Sequence, residues 1–232
     1  MFARHHQKTD PPLRGTVLFV HGLWMNGAES FFIRRRLAER GLALRVLPYS
    51  SLAERMDAVA RRCARQALAL ARGTRLPVHL LGHSLGGLVV FRAFQLGLVT
   101  PDPFSGDFCR VVFMGSPVAG SQSARAFSGL RLGRRLLGIG RDWLPGGLHA
   151  RWDFPAQLGV IAGTRPLGLG RLLAPFEGPN DGTIALSETC IEGATDRCEL
   201  PVSHTSMCLS REVAEQLGTF FETGRFRRPF AA

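Results

Sequence analysis

The segment Gly82-His83-Ser84-Leu85-Gly86 fits the spacing G-x-S-x-G, the pattern of a serine held on a tight strand-to-helix turn. A hydroxyl in that position is a candidate nucleophile toward an electrophilic carbon. The turn lifts it out of the sheet, and the first N–H groups of the following helix direct partial positive charge at the same point. The flanking glycines are needed because the backbones approach too closely there to admit β-carbons. The spacing alone is a modest signal in a chain with 27 glycines, so the neighbouring elements decide. Val78-His79-Leu80-Leu81 reads as a buried strand just before the motif, and residues 85–96 read as a helix just after it. Gly87 adds room for that helix to pack on the strand.

The rest of the chain continues this alternation of short apolar runs with longer amphipathic ones. Residues 15–20, 42–47, 111–114 and 158–162 read as further buried strands. Residues 28–40 read as a helix. Ser51-Leu52-Ala53-Glu54 has the form of a capping box, and the helix after it would place Leu52, Met56, Val59, Cys63 and Leu70 on one face. Residues 183–192 and 197–202 read as two extended segments around a turn at 191–196. The last helix starts near Ser210 and aligns Val213, Leu217, Phe220 and Phe221. Residues 118–155 have no clean period and are expected to form an irregular, cap- or lid-like excursion with one or two short helices. The pattern predicts an α/β fold in which a mostly parallel sheet is flanked by helices. With 232 residues, 45% of them hydrophobic, one domain over 1–232 is expected.

Four segments together resemble the α/β-hydrolases, and within them small bacterial lipases and esterases. They are Val20-His21-Gly22-Leu23-Trp24, Gly82 to Gly87, Gly115-Ser116-Pro117-Val118-Ala119-Gly120-Ser121, and Asn180-Asp181-Gly182-Thr183 with a later His204. The resemblance covers residues 15–222. It implies a serine hydrolase in which Ser84 attacks, His204 moves the proton and Asp181 orients His204, in the chain order of that fold. It further implies that the backbone N–H of Leu23, or of Trp24 as second choice, pairs with that of Leu85 to hold an oxyanion. Trp24 and Val118 are expected against the substrate. Gly115-Ser116-Pro117 is expected to shape the pocket wall without chemistry. His21 and His83 are expected to brace loops. Asp196 is the rival acid, read as a turn residue from its Gly-Ala-Thr-Asp setting. The chain is short for the family, and the first antiparallel strands of larger members are expected to be missing.

The implied substrate is a small-molecule or lipid acyl ester, with no cofactor and no metal. Thioester cleavage and acyl transfer use the same machinery and stay open, as does a non-catalytic binding protein on this fold. The net charge is +11, with Lys8 the only lysine. Such a balance attracts nucleic acid or anionic lipid, but the arginines are scattered and no zinc-finger, RRM or basic-zipper pattern accompanies them. No nucleic-acid partner is therefore expected. The excursion interleaves leucines with Arg125, Arg131, Arg134, Arg135 and Arg141. It reads either as a cover packing its leucines on the core or as a peripheral membrane contact. Five cysteines without C-x-x-C spacing suit reduced thiols, with Cys190 and Cys198 able to face each other across a turn. Residues 1–12 lack the apolar stretch of a secretory signal, and no apolar run reaches the length of a membrane span. A cytoplasmic protein is expected.

Overall fold

A computed structural model describes residues 11–99, 110–149, 151–173 and 175–228; Cys109 and the histidines at 5 and 6 lie outside them. Six strands form one sheet. In chain order they are β1 (Gly15–Val20), β2 (Leu42–Val46), β3 (Val78–His83), β4 (Arg110–Met114), β5 (Gln157–Gly163) and β6 (Asp196–Leu200). They lie side by side in the order β2-β1-β3-β4-β5-β6, and every neighbouring pair is parallel.

Helices cover both faces, which explains why the central strands are apolar without alternation. On one face, Leu18, Val20, Leu80, Val111, Phe113 and Val160 pack against α2 (Met56–Thr74) and α3 (Leu85–Gln95). On the other, Val17, Phe19, Leu81, Val112 and Ile161 pack against α1 (Phe31–Ala38) and α6 (Arg211–Thr223). Ser210 caps α6 by accepting the Val213 N–H at 3.2 Å. The chain leaves β1 outward to β2, then crosses back over β1 to β3 and runs on to β6. Strand order therefore reverses between β1 and β3, and the loops at their carboxyl ends diverge and leave a crevice. Among the described residues, no helix is long and apolar enough to cross a membrane.

Two expectations are corrected. The expected capping box is not one: α2 begins at Met56 behind Arg55, whose side chain makes no cap bond. Instead Ser50 accepts the Ala53 N–H and Glu54 accepts the Ser50 N–H, forming a separate turn that leaves Leu52 half exposed. Residues 183–192 are not extended. Side-chain carboxylates of Asp181 and Glu188 take the N–H groups of Thr183, Ile184 and Ala185, and the chain closes into a 3-10 turn at Leu186–Thr189. The reduced thiols expected are seen at Cys190 and Cys198, which are free.

The excursion holds two short helices, α4 (Gln122–Ser128) and α5 (Gly133–Leu136). Leu137, Ile139 and Leu144 are buried in the core, whereas Leu130, Leu132 and Leu136 face solvent.

Candidate active site

Ser84 stands between β3 and α3 with φ 54° and ψ −122°, a region that disfavours side chains. Three glycines allow it. A Cβ on Gly86 would fall 1.9 Å from the Val20 carbonyl oxygen, one on Gly87 would fall 2.1 Å from Ser116 Oγ, and one on Gly82 would fall 2.5 Å from Gly87. The first turn of α3 thus lies directly on the end of β1. Gly86→Ala should cost about 3 kcal/mol or more through overpacking against fixed backbone, lowering Tm by roughly 2–4 °C per kcal/mol. Gly73, with nothing within 4 Å of its would-be Cβ, is the control: Gly73→Ala in α2 should be neutral or stabilising. Equal melting shifts for the two would contradict the packing argument.

Asp181 and His204 are both buried and joined twice. His204 Nδ1 and Asp181 Oδ2 are 2.7 Å apart, and the His204 N–H donates to the Asp181 carbonyl at 2.9 Å. Asp181 Oδ1 accepts from Thr183 N–H at 2.9 Å and Ile184 N–H at 2.7 Å. An ionised carboxylate only accepts, so Nδ1 carries the proton and Nε2 is left with its lone pair. Tight backbone packing supports the pair from below. A Cβ on Gly115, whose φ is +59°, would meet the His204 ring at 3.2 Å, and one on Gly163 would meet Asp181 Cβ at 2.8 Å.

Ser84 and His204 line the same pocket, with a volume of about 320 Å³. Its wall is mainly apolar and includes Leu23, Trp24, Phe127, Leu144 and Ile184. Gly22 brings the β1 loop against the serine; a Cβ there would sit 3.2 Å from Ser84 Cβ. The expected amide donors and the second choice differ in how they are used. The Trp24 N–H is committed to Ser51 Oγ at 3.0 Å, which removes the second choice. The Leu23 and Leu85 N–H groups have no hydrogen-bond partner among the described residues. Val118, expected against the substrate, is instead buried in the core cluster and is not part of the pocket wall. Leu148 N–H docks on its carbonyl at 2.8 Å, so the chain turns inward there.

Four roles were not visible in the sequence. Ser51 holds the loop after β1, and Tyr49 stacks on the His21 ring at 4.0 Å while its hydroxyl donates to the His21 carbonyl at 2.6 Å. Only the polar cluster after Pro48 hinted at either. Gly115 forms the bed of His204, beyond the wall role expected of its segment. Glu188 is buried and accepts Gln122 N–H and Ala185 N–H, clamping α4 to the loop of Asp181. Burial pushes its carboxyl above the usual range, against the pull of those two N–H groups.

His83 and His21 are loop braces, as expected. His83 Nε2 lies 3.2 Å from the His204 carbonyl, which only accepts, so Nε2 carries the proton. Burial, then the nearby His204, pushes its pKa down to about 3, and the ring stays neutral. His21 Nδ1 donates to the Gly22 carbonyl at 2.9 Å. Asp196 is removed as the rival acid. It opens β6, at the amino end of the parallel sheet and away from the carboxyl end that leads to His204, and accepts from Phe226 N–H and Arg228. Among the described residues, no group of three or more His, Cys, Asp or Glu could hold a metal ion.

Residues 17–208 match the family model described as the Alpha/beta hydrolase family. No curated protein matches the sequence. Solved structures share the fold at low identity. The mature lipase BlEst2 of Bacillus licheniformis is 18% identical, with TM-score 0.70, over 96% of this chain and 95% of that one. A soluble variant of monoglyceride lipase from Saccharomyces cerevisiae is 12% identical, with TM-score 0.60, over 94% and 88%. The Vlm2 thioesterase domain is 13% identical, with TM-score 0.55, over 91% and 94%.

Proposed function

Because the chain belongs to the alpha/beta hydrolase family, we propose that it hydrolyses carboxylic esters through an acyl-enzyme on Ser84. The observation that carries this reading is the buried Asp181–His204 pair, 2.7 Å apart, whose ring shares an apolar pocket with Ser84. A serine hydroxyl is a weak nucleophile at neutral pH and needs a positioned base. The tautomer set by Asp181 supplies one at His204 Nε2.

Ser84 Oγ attacks the ester carbonyl carbon as its proton passes to Nε2. The carbonyl π pair moves onto oxygen, giving a tetrahedral oxyanion. The N–H groups of Leu23 and Leu85 are the unengaged donors for that charge, each worth about 2.7–4 kcal/mol in the transition state. The intermediate collapses, the carbon–oxygen bond to the alcohol breaks, and the alcohol takes the proton from Nε2. Water then attacks the acyl-enzyme, giving its proton to Nε2. Collapse returns that proton to Ser84 Oγ and releases the acid. Asp181 stabilises the imidazolium in both halves without taking its proton.

The direct test is intact mass after treatment with a fluorophosphonate. One adduct is expected on wild type and none on Ser84→Ala. No adduct on folded wild type would favour a binding protein. Matched acyl oxyesters and acyl thioesters then separate esterase from thioesterase, with faster turnover of the oxyester supporting the proposal.

A further inference from the structure

Two segments that adjoin the pocket wall carry exposed side chains that the chemistry leaves unused. On one side, Leu130 and Leu132 are 54% and 61% exposed, with Arg131, Arg135 and Leu136 exposed beside them. This segment is fastened to the rim: Trp24, itself 56% exposed, donates its Nε1–H to the Leu136 carbonyl at 2.9 Å. Phe127, three residues before it, and Leu137, directly after it, line the pocket. On the other side, Gly168, Gly170 and Leu173 line the pocket, and exposed Leu167 stands with exposed Arg165 and Arg171.

Two features set this rim apart from an ordinary solvated surface. Residues 118–141 and 164–176 contain no acidic residue. Arg131, Arg135, Arg165 and Arg171 have no ion-pair partner among the described residues, whereas Arg134 and Arg141 pair with Asp142. In addition, leucines stay in solvent within a segment that buries Leu137, Ile139 and Leu144. Exposed leucines, an indole and unneutralised guanidiniums around one opening complement a surface that is apolar below and anionic above. A protein partner would need carboxylates and an apolar groove; a lipid surface supplies both properties at once.

We propose that these two segments seat the pocket mouth on an anionic lipid surface, with the leucines among the acyl chains and the arginines at the lipid phosphates. An acyl ester would then enter the pocket without crossing water. This deepens the ester-hydrolase reading and rests on it for the substrate's route, while the docking itself does not require catalysis.

The test is flotation of Ser84→Ala protein with vesicles of phosphatidylcholine alone and of equal parts phosphatidylcholine and phosphatidylglycerol. Binding to the anionic vesicles is expected to be about tenfold tighter or more, and to weaken with salt. The pairs Leu130→Asp with Leu132→Asp, and Arg131→Ser with Arg135→Ser, should each lose about tenfold in vesicle binding. With Ser84 intact, both should retain wild-type hydrolysis of a short water-soluble ester, which also reports that they fold. Arg61→Ser with Arg65→Ser, on exposed positions of α2, removes the same charge away from the mouth and should bind as the parent does. Equal binding to neutral and anionic vesicles would overturn the proposal. So would equal losses from the α2 pair and the rim pair, which would reduce the effect to net charge. Failure of soluble-ester hydrolysis with vesicle binding intact would instead sink the ester-hydrolase reading alone.

Discussion

Ser84→Ala is expected to fold as the parent does and to lose ester hydrolysis by about 10⁴-fold or more. The hydroxyl is the only atom removed, and alanine keeps the Cβ that the turn already tolerates. The loss should fall on kcat, because the apolar wall that holds the acyl group is untouched. A loss below about tenfold would place the nucleophile elsewhere. The backbone provides a second readout. Ser84 holds φ 54° with a side chain in place, a conformation that costs about 1–3 kcal/mol. Ser84→Gly should be equally inactive yet melt above Ser84→Ala, since glycine meets no such penalty. Stability would then change between two equally inactive variants, as expected where backbone strain is stored at this position.

Asp181→Asn carries the second large effect, about 10⁴-fold in kcat. The reason lies in what each carboxylate oxygen does. Oδ1 accepts two backbone N–H groups, from Thr183 and Ile184, so the amide oxygen of asparagine must occupy that place. Its NH₂ group then faces His204 Nδ1, which has to become the acceptor. The ring proton moves to Nε2, and the base is lost without a change of shape. The two retained backbone bonds and the His204 N–H to Asp181 carbonyl bond should keep the variant folded. Asp181→Ala, by contrast, strands the Thr183 and Ile184 N–H groups and should lose stability as well, by about 1–3 kcal/mol. Near-wild-type kcat in a folded Asp181→Asn protein would remove Asp181 from the mechanism.

Much of the fold was legible because both faces of the sheet are covered. Residues 15–20, 78–81, 111–114 and 158–162 had to be buried and, Thr16 and His79 apart, free of polar side chains, and such runs between turn residues read as strands with few alternatives. The elbow was legible because its glycines meet a steric requirement, now seen in Gly86 against Val20 and Gly87 against Ser116. The regions that misread share another cause. At 183–192 and at 51–55, polar side chains bond the local backbone and override the pattern of apolar residues. Sequence periodicity carries no trace of which carboxylate takes which N–H.

The sequence by itself determined the sheet-and-helix alternation, the elbow around Ser84 and the candidate order of serine, acid and histidine, because these rest on local sterics and on burial periodicity. Tertiary structure alone decided which long-range partners meet. It joined Asp181 to His204 across 23 residues and left Asp196 at the amino end of β6, the end of the sheet away from His204. It tied the Trp24 N–H to Ser51, leaving that of Leu23 unengaged, and it buried Val118. It also buried Leu137 and Leu144 of the excursion and left Leu130, Leu132 and Leu136 exposed. Each of these outcomes depends on where two distant segments come to rest, and that is fixed by packing of the whole chain.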